Sequence, residues 1–474
     1  MSIASVLVAG CASTNAEPGF RDVAATVHQR TGLAARWNRV TPEDKQVDEA
    51  VRKLLAQPLT ADGAVQLGLL RNPKLQAMYE DLSVAQADVV QAGLLSNPVF
   101  SVDVTTAERE NLSPNLIGGV TQSFLDLLLL PAKKTIAASQ FDEAKYRVSD
   151  QLLAFDAQVR TGYYVVVGAE NELALRRTIA DGEGASYELT RRQREAGNIS
   201  DLTVASERAL SEQASLDVVS AEADLASARE RLTRLMGLWG REVAWRALDR
   251  LPDLPGSDTP LEDLESRAVA DRLDLSAMRQ QVETLRYAAS LARTSRWTGP
   301  IDIGADVARL KDGSIVVGPR ASIELPLFDQ RQATVARLEA QWRAAAQLRE
   351  ARAIEVRSEV REARARMLSA RQRVDRYRGN LIPAREELVA FSQQQYDAML
   401  LGVQQLIDAK KAETTAYRDC IEAVRDYWVA RVDLERAIGG RLPVVETPSA
   451  APQPASPAPP SSPAPADHSH HHPS

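Results

Sequence analysis

Four histidines and an aspartate fall within the six residues Asp467-His468-Ser469-His470-His471-His472, at the end of a Pro/Ala/Ser-rich stretch. Neutral imidazole suits copper, nickel and zinc, so His468, His470, His471 and His472 are candidate ligands for a divalent cation; a solvated polar end is the plainer alternative. At the other end, Leu7-Val8-Ala9-Gly10-Cys11 has the pattern of a bacterial lipoprotein cleavage site. A short apolar run for export, small residues for the peptidase and a thiol to take the lipid make Cys11 a candidate acylated residue. The run lacks the positive start that such leaders normally carry, and a chance Ala-Gly-Cys is the alternative. Ala12, not Asp, follows the cysteine, which by lipoprotein sorting rules fits delivery to an outer membrane. No Gly-rich phosphate loop, His-Glu-x-x-His or nucleophile with a histidine at catalytic spacing occurs, and His28 is the only histidine before His468; an enzyme is not expected. Cys420 lies in a helical seam with Ala416, Ala423, Tyr427, Ala430 and Leu434 and reads as a small core residue.

The elements that carry these residues are long. With 474 residues, 44% apolar and 26% charged, the chain is ordered, yet 5% aromatic content is too little for several compact cores. The net charge of −7 is well mixed and offers no basic field for nucleic acid. After the leader no window of about 20 apolar residues is present, so no transmembrane helix is expected and a closed β-barrel is the remaining way to cross a bilayer.

Val148, Leu152, Phe155, Val159, Gly162, Val166, Ala169 and Leu173 step by threes and fours, as do the apolar residues from Ala353 to Phe391. A period of 3.5 demands supercoiled helices packed along their length. Read over 131–196 and 330–399, each helix is roughly 100 Å long at about 1.5 Å per residue. Each then breaks and returns, at Ala196-Gly197-Asn198-Ile199-Ser200-Asp201-Leu202 and at Leu401-Gly402-Val403-Gln404-Gln405-Leu406. The apolar Ile199, Leu202, Leu401, Val403 and Leu406 on these tips suggest docking surfaces, against the alternative of plain turn chemistry. Pro383 should kink the second long helix. Packing explains Trp239, Trp245 and Trp297, although Trp297 also suits a membrane interface.

Ahead of each long helix lie paired alternating runs, read as strands over about 98–107 and 116–127 and again about 300–309 and 315–326. Apolar-out, polar-in strands fit an outer-membrane barrel, and periodicity alone also fits a half-buried soluble sheet. The order helix, two strands, long helix, tip and returning helix occurs twice. Four strands cannot close a barrel whose smallest natural form has about eight, so the chain must oligomerise, and three copies supply twelve strands.

These strings resemble a known family. Asn72-Pro73-Lys74-Leu75, Gln91-Ala92-Gly93-Leu94-Leu95-Ser96-Asn97-Pro98 and Leu325-Pro326-Leu327-Phe328-Asp329-Gln330, with Leu130-Pro131-Ala132-Lys133-Lys134 as a first-repeat counterpart, are similar to the strand–helix junctions of TolC-like outer-membrane efflux factors over about 60–440. The resemblance implies a mainly α, mixed α/β membrane protein: a homotrimer with a twelve-stranded barrel, four strands per subunit, a periplasmic α-helical barrel and an equatorial belt. The divisions are then a signal peptide (1–10), an N-terminal equatorial segment (11–61), a first repeat (62–240), a linker (241–261), a second repeat (262–440) and a disordered tail (444–474). The implied function is a passive duct served by a periplasmic adaptor and an inner-membrane pump, of RND type, in contact with outer-membrane lipid. Asp408, with Asp201 as a second contributor and Gln405 where the family carries an acid, is placed at the periplasmic gate. Gly197, Ile199, Leu202, Leu401, Gly402, Val403 and Leu406 are placed where the adaptor docks. The family branch with His-rich accessory segments exports heavy metals, which inclines the cargo toward metal cations over organic drugs. No cofactor is expected apart from a divalent metal on the tail. The rival readings are a periplasmic coiled-coil lipoprotein scaffold without a pore and a metal-sequestering lipoprotein that acts through its tail.

Overall fold

The structure, a computed structural model, describes residues 14–39, 44–105, 115–256, 263–310 and 313–442. The chain runs through α1 (Glu17–Thr31), α2 (Asp44–Leu55), α3 (Ala61–Arg71) and α4 (Pro73–Ala92) into the hairpin β1 (Val99–Thr105) and β2 (Asn115–Ser123). It continues as α5 (Phe124–Glu195) and α6 (Asp201–Met236), then α7 (Leu264–Asp271), α8 (Leu273–Thr294), β3 (Ile301–Arg309) and β4 (Ile315–Ile323). α9 (Gln332–Arg376), a π-turn over Tyr377–Leu381, α10 (Ile382–Asp397) and α11 (Val403–Ile438) complete it.

The seams explain the long helices. Val356, Val360, Ala363, Met367 and Ala370 of α9 are buried with Tyr427, Ala430 and Leu434 of α11, and Val374 is buried with Ala423 and Val424. Their alternating steps of four and three keep one stripe on the partner, and full burial of each aliphatic side chain contributes about 1.5–3 kcal/mol. Val148, Leu152, Phe155, Val159, Tyr163 and Val166 form the matching stripe of α5, and the Tyr163 hydroxyl donates to the Leu59 carbonyl at 2.8 Å.

Helix neighbours follow one another as α4–α5–α8–α9 beside the sheet and α6–α5–α11–α9/α10 toward the tips. This is an open wall. One flank is α4 and α6, the other α9 and α10, and both carry exposed apolar residues, Val84, Leu216 and Val219 against Leu348, Ile354 and Phe391.

Three sequence-based expectations need correction. The strand read over 116–127 stops at Ser123, because Leu127 to Leu130 have no alternation and leucine is a strong helix former; α5 therefore starts at Phe124 and carries Pro131 inside it. The strand read over 315–326 stops at Ile323. Its ladder ends there because Pro300 and Pro326 have no N–H, leaving a last bond from Glu324 N to Pro300 O at 3.1 Å. The single helix read over 330–399 is two helices. Pro383 cannot donate to the carbonyl four residues back, and the chain passes the gap with a wider turn in which Ile382 N–H bonds Tyr377 O.

The duplicated order extends to a joint in each half. Between α3 and α4, Asn72 adopts extended geometry, accepts from Lys74 N at 2.8 Å and donates to Leu235 O at 2.8 Å, near the end of α6. Between α7 and α8, Arg272 has the same backbone geometry and reaches Ala437 O at 3.3 Å, near the end of α11. Each joint sits against a left-handed glycine that ends the returning helix, Gly237 at φ 71° and Gly439 at φ 78°. A Cβ on Gly237 would lie 2.9 Å from both Arg71 O and Asn72 Cα. The left-handed conformation alone costs a non-glycine residue about 1–2 kcal/mol, so Gly237→Ala should lower the thermal midpoint by several degrees. Gly182→Ala, where added Cβ meets open space in mid-helix, should be neutral or stabilising. Equal midpoints for the two variants in a circular-dichroism melt would refute the joint.

Candidate functional site

The four strands form one antiparallel sheet in the order β1-β2-β3-β4. Register decides what each face presents. Val102 is opposite Gly118, Gly118 opposite Val307 and Val307 opposite Val317; Phe100, Val120, Ala305 and Pro319 form the next row toward the helices. Val104, Leu116, Arg309 and Ile315 form the row at the loop end, and Ile301 faces Ile323 at the helix end. This face is therefore apolar except for Arg309 and Gln122, and the amide of Gln122 is held by Ser96 O at 2.8 Å.

The opposite face carries Ser101, Asp103, Thr121, Ser123, Asp302, Asp306, Arg320 and Ser322, with Arg320 3.7 Å from Asp306. Glycines make room on it: a Cβ on Gly119 would lie 2.4 Å from Asp306 Oδ1, and one on Gly304 would lie 2.3 Å from Val120 O. Strands of up to nine residues rise about 30 Å at about 3.3 Å per residue, and tilt brings that near the roughly 25 Å apolar band of an outer membrane. Neither β1 nor β4 has a partner on its outer edge among the described residues. A long unpaired edge invites another chain.

The tips lie at the far ends of the helical hairpins. In the first, Gly197 takes φ 82° after α5, and the Ser200 side chain caps α6 by accepting from Thr203 N at 3.3 Å. Asp201 is bound by Arg194 of the same tip, with Nε to Oδ1 at 2.6 Å and Nη2 to Oδ2 at 3.0 Å. These hydrogen bonds and the guanidinium charge hold the Asp201 carboxyl below its ordinary range. Leu202 is 77% exposed, and Ile199 half-buried.

In the second tip the left-handed residue is Met399 at φ 58°, and Gly402 instead starts α11 with extended geometry. Gln405 Oε1 accepts from Gly402 N at 2.8 Å, so this amide caps the helix. Asp408 is exposed, accepts from Gln404 Nε2 at 3.2 Å, and makes no ion pair among the described residues. Leu401 and Leu406 are half-buried; α11 begins at Val403.

The structure thus brings Asp201 to Arg194 and Gln405 to Gly402, and leaves Asp408 with no ion pair among the described residues. Among the described side chains of the second tip, the most exposed apolar ones are Met399 at 93% and Leu400 at 78%, which sequence reasoning passed over. Their signal was present in four consecutive apolar residues, Ala398-Met399-Leu400-Leu401, directly before a glycine. Cys420 is buried in its seam, and burial raises its thiol pKa. No metal-ligating cluster occurs among the described residues. Cys11, the 1–10 leader, His468, His470, His471, His472 and the 444–474 tail lie outside them.

An amphipathic, open-edged four-stranded sheet continued by an open wall of long helices defines the fold of TolC-like outer-membrane channel proteins. The chain superposes on the CmeC outer membrane channel of Campylobacter jejuni with a TM-score of 0.70 at 16% identity, covering 87% of this chain and 91% of that one. It matches a membrane protein from Pseudomonas aeruginosa with a TM-score of 0.68 at 19% identity, over 86% and 98% of the two chains. In sequence, it is 25% identical over 292 residues to the cobalt-zinc-cadmium resistance protein CzcC of Cupriavidus metallidurans, an alignment spanning 58% of this chain and 65% of that relative. Residues 64–238 match the family model described as outer membrane efflux protein.

Proposed function

We propose that three copies of this chain close into a twelve-stranded outer-membrane barrel continued by a periplasmic helical tunnel, and that the assembly is the passive exit duct of a tripartite efflux system. The observation that carries this reading is the pairing of free edges. Among the described residues the sheet ends in unpaired β1 and β4 and the helical wall ends in α4/α6 and α9/α10, so that a further copy extends both layers at once. The apolar face then meets lipid and the face with Asp103, Asp302 and Asp306 lines the lumen. A scaffold without a pore has no use for such a sheet. Reconstituted into planar bilayers, the protein should give discrete single-channel steps and migrate as a heat-resistant trimer; helix-rich monomers without conductance would overturn the reading.

Cargo would arrive from a periplasmic adaptor and an inner-membrane pump of RND type, with the adaptor docking on the tips at Gly197, Ile199, Leu202, Leu401, Gly402, Val403 and Leu406, and a lipid on Cys11 as a second anchor. Similarity to a relative named for cobalt, zinc and cadmium resistance supports metal cations as cargo over organic drugs. Deletion of the gene should sensitise cells to such cations, and sensitivity only to organic compounds would reverse that preference.

At the gate, a ring of Asp408 side chains concentrates cations. Asp201 contributes less because Arg194 offsets its charge. Asp408→Ala should reduce cation selectivity several-fold, whereas Asp201→Asn should change it little. Equal effects, or none, would remove Asp408 from the gate.

A further inference from the structure

The turn between α8 and β3 has features that the duct itself does not require. Ser295 is buried and its hydroxyl donates to Leu291 O at 2.8 Å, Thr298 N bonds Ser295 O at 3.2 Å, and Gly299 is packed so closely on Glu324 that a Cβ would lie 2.2 Å from Glu324 O. The turn is thus held rigidly. It presents Trp297, 63% exposed, at the end of the sheet where the apolar face gives way to the helices. Arg296 stacks its guanidinium over the Trp297 indole, 4.4 Å from the ring centroid. Its Nε is buried without a hydrogen bond, and it has no carboxylate partner among the described residues. Arg331 approaches the same turn, with Nη1 3.5 Å from Ser295 Oγ, and likewise forms no ion pair there.

Two features favour lipid over a neighbouring copy as the cover for Trp297. The turn leads into β3, an inner strand, whereas further copies add at β1 and β4. Although Glu324 and Asp329 lie close by, neither the Arg296 nor the Arg331 guanidinium is paired with a carboxylate among the described residues, and such guanidinium groups complement phosphate. An indole at the water boundary of an apolar band is the arrangement found where membrane proteins meet headgroups. We infer that Arg296 and Trp297 form a phospholipid anchor at the periplasmic rim of the barrel: the indole lies among the upper acyl carbons and glycerol of the facing leaflet, while Arg296, with Arg331 beside it, binds the lipid phosphate. The inference rests on the barrel reading above, since only that reading places this rim in a bilayer.

The test uses the full-length protein in phosphatidylglycerol vesicles whose acyl chains are brominated near the headgroup, with tryptophan quenching and single-channel conductance measured on the same samples. The expected result is that Trp297→Phe removes most of the quenched emission. Arg296→Gln should keep conductance at the unmodified level, yet weaken retention of added phosphatidylglycerol by about tenfold in native mass spectrometry, with Arg296→Lys intermediate. Unchanged quenching in Trp297→Phe, or unchanged lipid retention in Arg296→Gln, with conductance intact, overturns the anchor and leaves the channel standing. Absence of conductance in the unmodified protein overturns the channel and the anchor with it.

Discussion

Val307→Arg should abolish assembly in the outer membrane. Val307 lies on inner strand β3 in the row Val102, Gly118, Val307 and Val317, on the face that has apolar residues along nearly its whole length. A lipid-facing Arg near the bilayer midplane costs about 2–4 kcal/mol, and a trimer incurs that cost three times, roughly 6–12 kcal/mol in all. Few assemblies retain that much surplus stability. The heat-resistant oligomer should vanish from the outer-membrane fraction. Asp306→Asn, one residue earlier and on the opposite face, should assemble normally. A soluble scaffold predicts the reverse sensitivity, because an added surface charge there is harmless and often improves solubility. Normal assembly of Val307→Arg would therefore count against the barrel at its root.

The second large effect is expected at the joint of the C-terminal half. Arg272 is 3% exposed and links three elements. Its Nε and Nη2 hold Asp274 at 3.0 and 2.7 Å, and its Nη1 bonds Glu359 Oε2 of α9 at 2.6 Å and Ala437 O of α11 at 3.3 Å. Arg352 of α9 adds a further bond to Asp274 at 3.0 Å. Burial alone would raise the Asp274 carboxyl; the hydrogen bonds and charge of Arg272, then those of Arg352, outweigh it and hold the pKa at about 2. Removing one partner of a buried ion pair costs about 3–5 kcal/mol, chiefly by leaving the other charge without its counterion. Because Arg352 stays paired with Asp274 and Glu359, Arg272→Ala should lose an amount at the lower end of that range, about 3 kcal/mol, and Arg272→Lys should recover little of it, because an ammonium cannot reproduce the two-pronged contact with Asp274 while also reaching Glu359 and Ala437 O.

The sign of the acid dependence follows from the depressed pKa. The folded carboxylate releases its proton more readily than the unfolded one, whose pKa is about 3.9. Its stabilisation is therefore complete above about pH 4 and is lost as pH falls toward 2. Thermal melts of Arg272→Ala between those limits should be flatter with pH than those of the unmodified protein. Parallel curves would show that Arg272 contributes nothing to holding Asp274 ionised.

Much of this architecture could be read in the chain because it rests on local, periodic rules. The stripe from Ala353 to Val374 shows spacing that only a packed helix satisfies, and all seven of its residues are buried. The alternation in Val99–Thr105 and Ile301–Arg309 likewise marks strands with two unlike faces. Element ends are less legible where two rules compete. Phe124 to Leu130 are apolar enough for strand or helix, and Pro383 marks an interruption without telling whether the helix kinks or changes register.

By itself the sequence determined the repeat, the helical and strand periods, the amphipathic faces and the positions of the tips, since each follows from side chains a few residues apart. Tertiary structure decided which charges are offset, because partners are chosen by distance in space: Asp201 meets Arg194 across a tip, Arg272 reaches Glu359 across 87 positions and Ala437 across 165, and Asp408 forms no ion pair among the described residues. It also decided strand register, on which the sheet's apolar face depends. One residue of slip would turn every second side chain of a strand to the other side, and only the paired backbones select among such alternatives.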